Sequence, residues 1–142
     1  MRTYLFRGKT YDGRWVFGSL ISTGDYCCIL EDEEKVHPMY YPYLNPELGT
    51  FDGKATPVIP ETVGMYTERN DKNGKQIFEG DIVHGHMDFG PAGMRESIVP
   101  IGFKKSIGGY RWEYFDTDTI KVIGNVYDNS DLLDNVPQIK VI

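Results

Sequence analysis

The stretch Asp71-Lys-Asn-Gly-Lys-Gln-Ile-Phe-Glu-Gly-Asp-Ile-Val83 decides the fold class. Asn73-Gly74 lies between apolar runs, and an Asn-Gly pair in that setting is the strongest short-range hairpin signal, because both residues tolerate the positive φ of a tight turn. Val63-Gly-Met-Tyr66 supplies strand formers before the turn, and Gln76-Ile-Phe78 supplies them after it. A second turn at Gly80-Asp81 then leads into the aliphatic pair Ile82-Val83.

The same grammar occurs upstream. Asp12-Gly-Arg-Trp-Val-Phe-Gly-Ser-Leu-Ile21 echoes Asn73-Gly-Lys-Gln-Ile-Phe-Glu-Gly-Asp-Ile-Val83, with Glu79 as a one-residue insertion. Each copy has a turn glycine, a basic residue, an apolar-aromatic pair, a glycine and two aliphatics. Duplication and convergence on turn chemistry both account for it. Tyr4, Phe6, Trp15 and Phe17 alternate with polar or small residues, the period-2 pattern of half-buried strands. Tyr26 to Leu30 is a further short strand, and the acidic Glu31-Asp-Glu-Glu34 reads as a solvated turn. Downstream, strands are expected over 96–103, 110–115 and 119–126. Tyr110, Trp112 and Tyr114 should share one buried face. Ser130-Asp-Leu-Leu133 can form one helical turn, with Asn129 or Ser130 as its cap.

Composition agrees with a strand-rich chain. Its 142 residues include 16 Gly, 8 Pro, 10 Tyr, 7 Phe and 2 Trp, while Ala55 and Ala92 are the only alanines. Helix formers are therefore scarce and turn formers plentiful. A chain of this length buries about two-thirds of its extended surface, enough for a core of its own. With 21 acidic and 15 basic residues the net charge is -6. That balance opposes sequence-independent binding to nucleic-acid backbones, which depends on clustered Lys and Arg. Adjacent Cys27 and Cys28 cannot form an unstrained disulfide on a strand, so reduced thiols are expected, one buried and one facing out. Neither a secretory signal nor an apolar run of about 20 residues is visible, so a soluble, cytoplasmic protein is expected.

Between Val36 and Leu48, Pro38, Pro42 and Pro46 forbid a helix or a central strand. The segment carries Tyr40, Tyr41 and Tyr43. Those tyrosines either pack over a sheet edge or form a contact surface, since tyrosine offers large area at modest entropic cost. Phe51-Asp-Gly-Lys54 is another turn.

Val58-Ile-Pro-Glu-Thr-Val-Gly-Met-Tyr-Thr67 followed by the 71–83 block resembles the YopX family of bacteriophage and prophage proteins. Phe6-Arg7-Gly8, Gly13-Arg-Trp-Val-Phe-Gly18 and Ile123-Gly-Asn-Val-Tyr-Asp-Asn129 extend the resemblance over most of the chain, while 88–106 matches nothing in it. The resemblance implies a mainly β protein whose C-terminal part is similar to a small Src-homology-3-like barrel or roll. It offers no catalytic residues to carry over. The expected division is a small β subdomain over 1–58, the barrel or roll over 59–136 and a tail over 137–142.

Three sets of side chains can carry chemistry. Glu79 and Asp81 would share a face on a regular strand, as paired carboxylates do in acid–base catalysis. Gly80 between them favours a structural turn instead, with Asn73, Gly74, Gly80 and Asp81 as turn residues and Asp81 accepting backbone N–H bonds. His84, His86 and Asp88 have metal-like i, i+2 spacing. Against a metal, His37 is the only other histidine, and Gly85, Gly90 and Gly93 suggest a loop rather than a ligand frame. Lys104 and Lys105 with Arg111 form a basic cluster beside Tyr110, Trp112 and Tyr114. Small β barrels bind single-stranded nucleic acid through such groups. No nucleophile elbow, phosphate-binding loop or dinucleotide fingerprint is present. The reading is a phage or prophage accessory protein: a non-enzymatic β module without cofactor, which binds a protein partner and forms homo-oligomers. The alternative is a nucleic-acid-binding barrel.

Overall fold

The computed structural model describes residues 4–24, 26–31, 44–45, 50–51, 55–134 and 140–141. The tyrosine segment holding Tyr40, Tyr41 and Tyr43, the acidic residues 32–34 and the turn at 52–54 lie outside the described residues. The chain groups into two compact units, Met1–Met65 and Tyr66–Ile142. Both are built from antiparallel strands, and the expectation of a mainly β chain with very little helix holds.

In the first unit, β1 (Phe6–Lys9), β2 (Trp15–Thr23) and β3 (Tyr26–Glu31) form a meander. The two-residue strands β4 (Leu44–Asn45) and β5 (Thr50–Phe51) pair with each other. β6 (Ala55–Pro57) returns to pair with β3. Residues 57–60, where the sequence suggests a division, fall inside this unit. Val58 is buried there, and its N–H donates to the Cys27 carbonyl at 3.0 Å. The core is Val16, Ile29 and Val58, with Phe6, Leu20, Cys27 and Val63 packed on it. The aromatic alternation therefore does not define the buried face of β2: Val16 points in, while Phe17 is exposed. Trp15 instead takes the Arg7 guanidinium over its ring, 4.8 Å from the centroid. Cys28 is buried and Cys27 half-buried, and both are free thiols.

β7 (Gly64–Asn70) starts in the first unit, where Gly64 and Met65 pair with β1, and continues into the second. There it forms a hairpin with β8 (Gln76–Phe78). β9 (Asp81–Asp88), β10 (Met94–Pro100), β11 (Phe115–Asn125) and the two-residue β12 (Lys140–Val141) make a sheet in the order β11-β9-β10-β12. Among the described residues its edges do not close. The expected helical turn forms as α1 (Asp131–Asp134). Its Leu132 and Leu133 N–H groups donate to the main-chain carbonyls of Asn129 and Ser130. The Asn129 side chain serves the other direction, accepting the Asn125 N–H at 3.1 Å. Ile77, Val83, Ile101, Phe115 and Ile120 form the core, joined by Met87, Val99, Tyr110, Trp112 and Val122. No helix among the described residues is long and apolar enough to cross a membrane.

The echo between the two hairpins is real at the turn and ends soon after it. In the first, the Thr10 N–H donates to Arg14 O at 2.7 Å and the Gly13 N–H to Thr10 O at 3.0 Å. In the second, Asp71 N–H reaches Lys75 O at 2.7 Å and Gly74 N–H reaches Asp71 O at 2.9 Å. Thr10 Oγ1 accepts the Arg14 N–H, and Asp71 Oδ1 accepts the Lys75 N–H, each at 2.9 Å. Both glycines take the positive φ this geometry demands, 91° at Gly13 and 82° at Gly74. Beyond the turn the copies diverge. β2 runs on for nine residues, whereas β8 stops at Phe78 and the chain turns at Glu79-Gly80.

Candidate functional site

Phe78-Glu79-Gly80-Asp81 organises a concave surface of the second unit. Asp81 is buried, and its Oδ2 accepts the Phe78 N–H at 2.8 Å, which closes the turn. Gly80 N–H donates to Ile101 O, and Ile101 N–H donates to Asp81 O, both at 2.8 Å. Glu79 points elsewhere. Its Oε2 accepts the Tyr110 hydroxyl at 2.8 Å. Each carboxylate thus takes part in the structure, Asp81 through the Phe78 N–H and Glu79 through the Tyr110 hydroxyl.

This turn fixes two walls of one cleft. Ile101 and Tyr110 line it together with Met87, Val99, Phe115, Pro100 and Gly102, and the exposed Lys104 and Arg111 join the lining. The cleft holds about 160 Å³. Lys104 opens a small hairpin whose ends are joined by Lys104 N–H to Gly109 O at 2.7 Å. Lys105 and Ile107 are exposed within it. Phe103 meets Tyr110 edge-on with centroids 5.9 Å apart, and Tyr110 leans on Trp112 at 6.0 Å. The Arg69 guanidinium lies over the Trp112 ring at 5.1 Å. The sequence-defined basic cluster of Lys104, Lys105 and Arg111 is therefore brought beside an apolar floor. Sequence reasoning missed that floor, because its residues come from β9, β10, β11 and the segment after β10.

The strand expected over 110–115 is absent. Trp112 N–H donates to Tyr110 O at 3.1 Å and Phe115 N–H to Trp112 O at 2.9 Å, local bonds that curl the chain until β11 begins at Phe115. Consequently Tyr110 and Trp112 pack on the core while Tyr114 is exposed and stacks on Phe89 at 6.4 Å. The three aromatics do not share a face. Likewise, β10 starts and ends before the expected 96–103, and β11 starts before the expected 119–126 and ends one residue short of it.

Gly85 is not part of a loop. It lies inside β9, at a position where a Cβ would stand 3.1 Å from the Phe115 ring. Its neighbours His84 and His86 share one face of β9, with ring centroids 6.3 Å apart. His84 Nε2 lies 2.5 Å from Glu96 Oε1, and the Asp88 carboxylate accepts the Gly90 N–H at 2.8 Å, capping the following turn. Among the described residues no group of three or more His, Cys, Asp or Glu is placed to hold a metal ion.

No curated protein matches the chain. The family model described as YopX protein matches residues 22–134, which include the organising turn and the whole cleft. That match covers most of the sequence, and the chain belongs to the YopX protein family.

Proposed function

We propose that this phage-type protein is a non-enzymatic accessory module that binds a protein partner in the bacterial cytoplasm through the cleft between Ile101 and Tyr110. The observation that carries this reading is the meeting of an apolar floor with two exposed cations. At about 160 Å³ the cleft is smaller than the roughly 300–1,000 Å³ of ordinary ligand pockets, which disfavours a cofactor or nucleotide. It is comparable to a cavity of about 150 Å³ that accepts benzene, so one inserted side chain is the right scale. Both carboxylates of the 79–81 turn are engaged in structure, which supports a binding role over hydrolysis. The open sheet edges favour self-association as a further property, to be read by sedimentation.

The test is affinity capture from the bacterial host during prophage induction, with the intact chain and with Lys104→Glu/Arg111→Glu. A protein recovered by the first and lost by the second supports the reading. Nucleic acid recovered with steep salt dependence would select the alternative barrel-type nucleic-acid binder. Equal recovery by both baits would exclude the cleft.

A further inference from the structure

Resting on the reading of the cleft as a protein-docking site, we infer that its occupant is a segment of another protein bearing one Leu-, Ile-, Met- or Phe-sized side chain flanked by Asp or Glu. The size follows from the volume, about 160 Å³, which admits one such side chain and no bicyclic ring with room to spare. Polarity follows from the floor. Met87, Val99, Ile101 and Phe115 present no strong side-chain donor or acceptor, so the polar edges of a nucleobase pressed against that floor would lose hydrogen bonds to water there, the side-chain donors of the lining being confined to Tyr110, Lys104 and Arg111. An aliphatic or phenyl group loses none.

The flanking charge follows from the surroundings. No Asp or Glu occurs between Glu96 and Glu113, while Lys104, Lys105 and Arg111 all fall in that stretch and all are exposed. On a chain with a net charge of -6, this stretch of sequence reverses the sign, and the one carboxylate seen to touch the lining, Glu79, is bonded to the Tyr110 hydroxyl. An acidic partner is repelled by most of the protein and admitted here, the arrangement that gives orientation and specificity to an interface. Arg111 offers a planar fork suited to a carboxylate, and Lys104 a point charge on the same lining. The Lys104–Gly109 backbone bond holds the loop before anything binds, so little ordering is required on docking.

The test uses the full isotopically labelled chain and blocked peptides with a central Leu flanked on each side by Glu. The expected result is a shift of the Val99, Ile101 and Tyr110 amide signals on titration. Affinity should fall about tenfold or more when the Leu is replaced by Gly, given the stabilisation expected from burying one such side chain. It should fall similarly when Lys replaces the flanking Glu, and Lys104→Glu/Arg111→Glu, shown folded by its melting curve, should reverse that charge preference. Equal binding of Glu- and Lys-flanked peptides would overturn the acidic class while leaving the docking site in place. Cleft shifts that depend on protein concentration alone, with a dimer in sedimentation, would overturn it in favour of a second copy. No cleft shift with any peptide, together with partner capture insensitive to the double variant, would remove the docking reading itself.

Discussion

Asp71 Oδ2 accepts the Val122 backbone N–H at 3.0 Å, a bond spanning 51 residues of sequence. The other oxygen of the same carboxylate accepts Asn73 N–H and Lys75 N–H at 2.9 Å each. One side chain thus closes its own turn and fastens it to β11, where Lys72 N–H also reaches Ile120 O at 2.8 Å. Asp71→Ala leaves three backbone donors without this acceptor, and the expected loss is about 3 kcal/mol. Denaturant unfolding checks it; a midpoint unchanged at constant slope would dismiss the role.

Acid should expose the same bond. Burial pushes the Asp71 carboxyl up, but the N–H groups of Val122, Lys75 and Asn73 outweigh it and hold the group below its ordinary 3.8. A depressed carboxyl contributes its stability above the unfolded value and loses it as pH falls through the folded one. Melting temperature measured downward from pH 5 should drop below about pH 4, the ordinary carboxylate range. The drop should be shallower in Asp71→Asn, and parallel curves would assign the acid limb to other groups.

Gly85→Ala would place a methyl 3.1 Å from the Phe115 ring. The ring cannot yield freely, because it belongs to the core and also lines the cleft. Overpacking of this kind costs about 1–3 kcal/mol. The substitution should therefore lower stability and also perturb the Val99 and Ile101 signals on the cleft. A lower melting point with an undisturbed cleft would show that the strain is relieved elsewhere.

Tyr110→Phe removes the hydroxyl that reaches Glu79 and should cost about 1 kcal/mol. A double-mutant cycle with Glu79→Ala should show a coupling of about the same size, the sign of a direct interaction. Strict additivity would mean that the bond to Glu79 does not hold the Tyr110 wall.

The turns were readable because their chemistry is local: Asp12-Gly13 and Asn73-Gly74 carry their geometry in adjacent residues. Asp81 was readable for the same reason, since its partner, the Phe78 N–H, lies three residues away. Asp71 was not, because Val122 lies far along the chain and nothing in the hairpin names it. The alternation of Tyr110, Trp112 and Tyr114 misled, since a period of two says nothing about the short-range bonds that curl this segment. Gly85 carried the opposite lesson. A glycine that admits a neighbouring ring looks, in sequence, like one that loosens a loop. Of the candidate site, the cations were visible as a cluster and the apolar floor was not, because tertiary packing assembles it from several strands.

Thr10 and Asp71 do the same task in the two matched turns, yet they are not equivalent parts. A hydroxyl has one oxygen, and at Thr10 that oxygen is used within the turn, accepting from Arg14 and donating to Asp12. A carboxylate has two, and the spare one at Asp71 reaches outward to a strand the turn does not belong to. The chain places its ionisable closure where a loop must also serve as a rivet, and a neutral one where it need only fold back on itself.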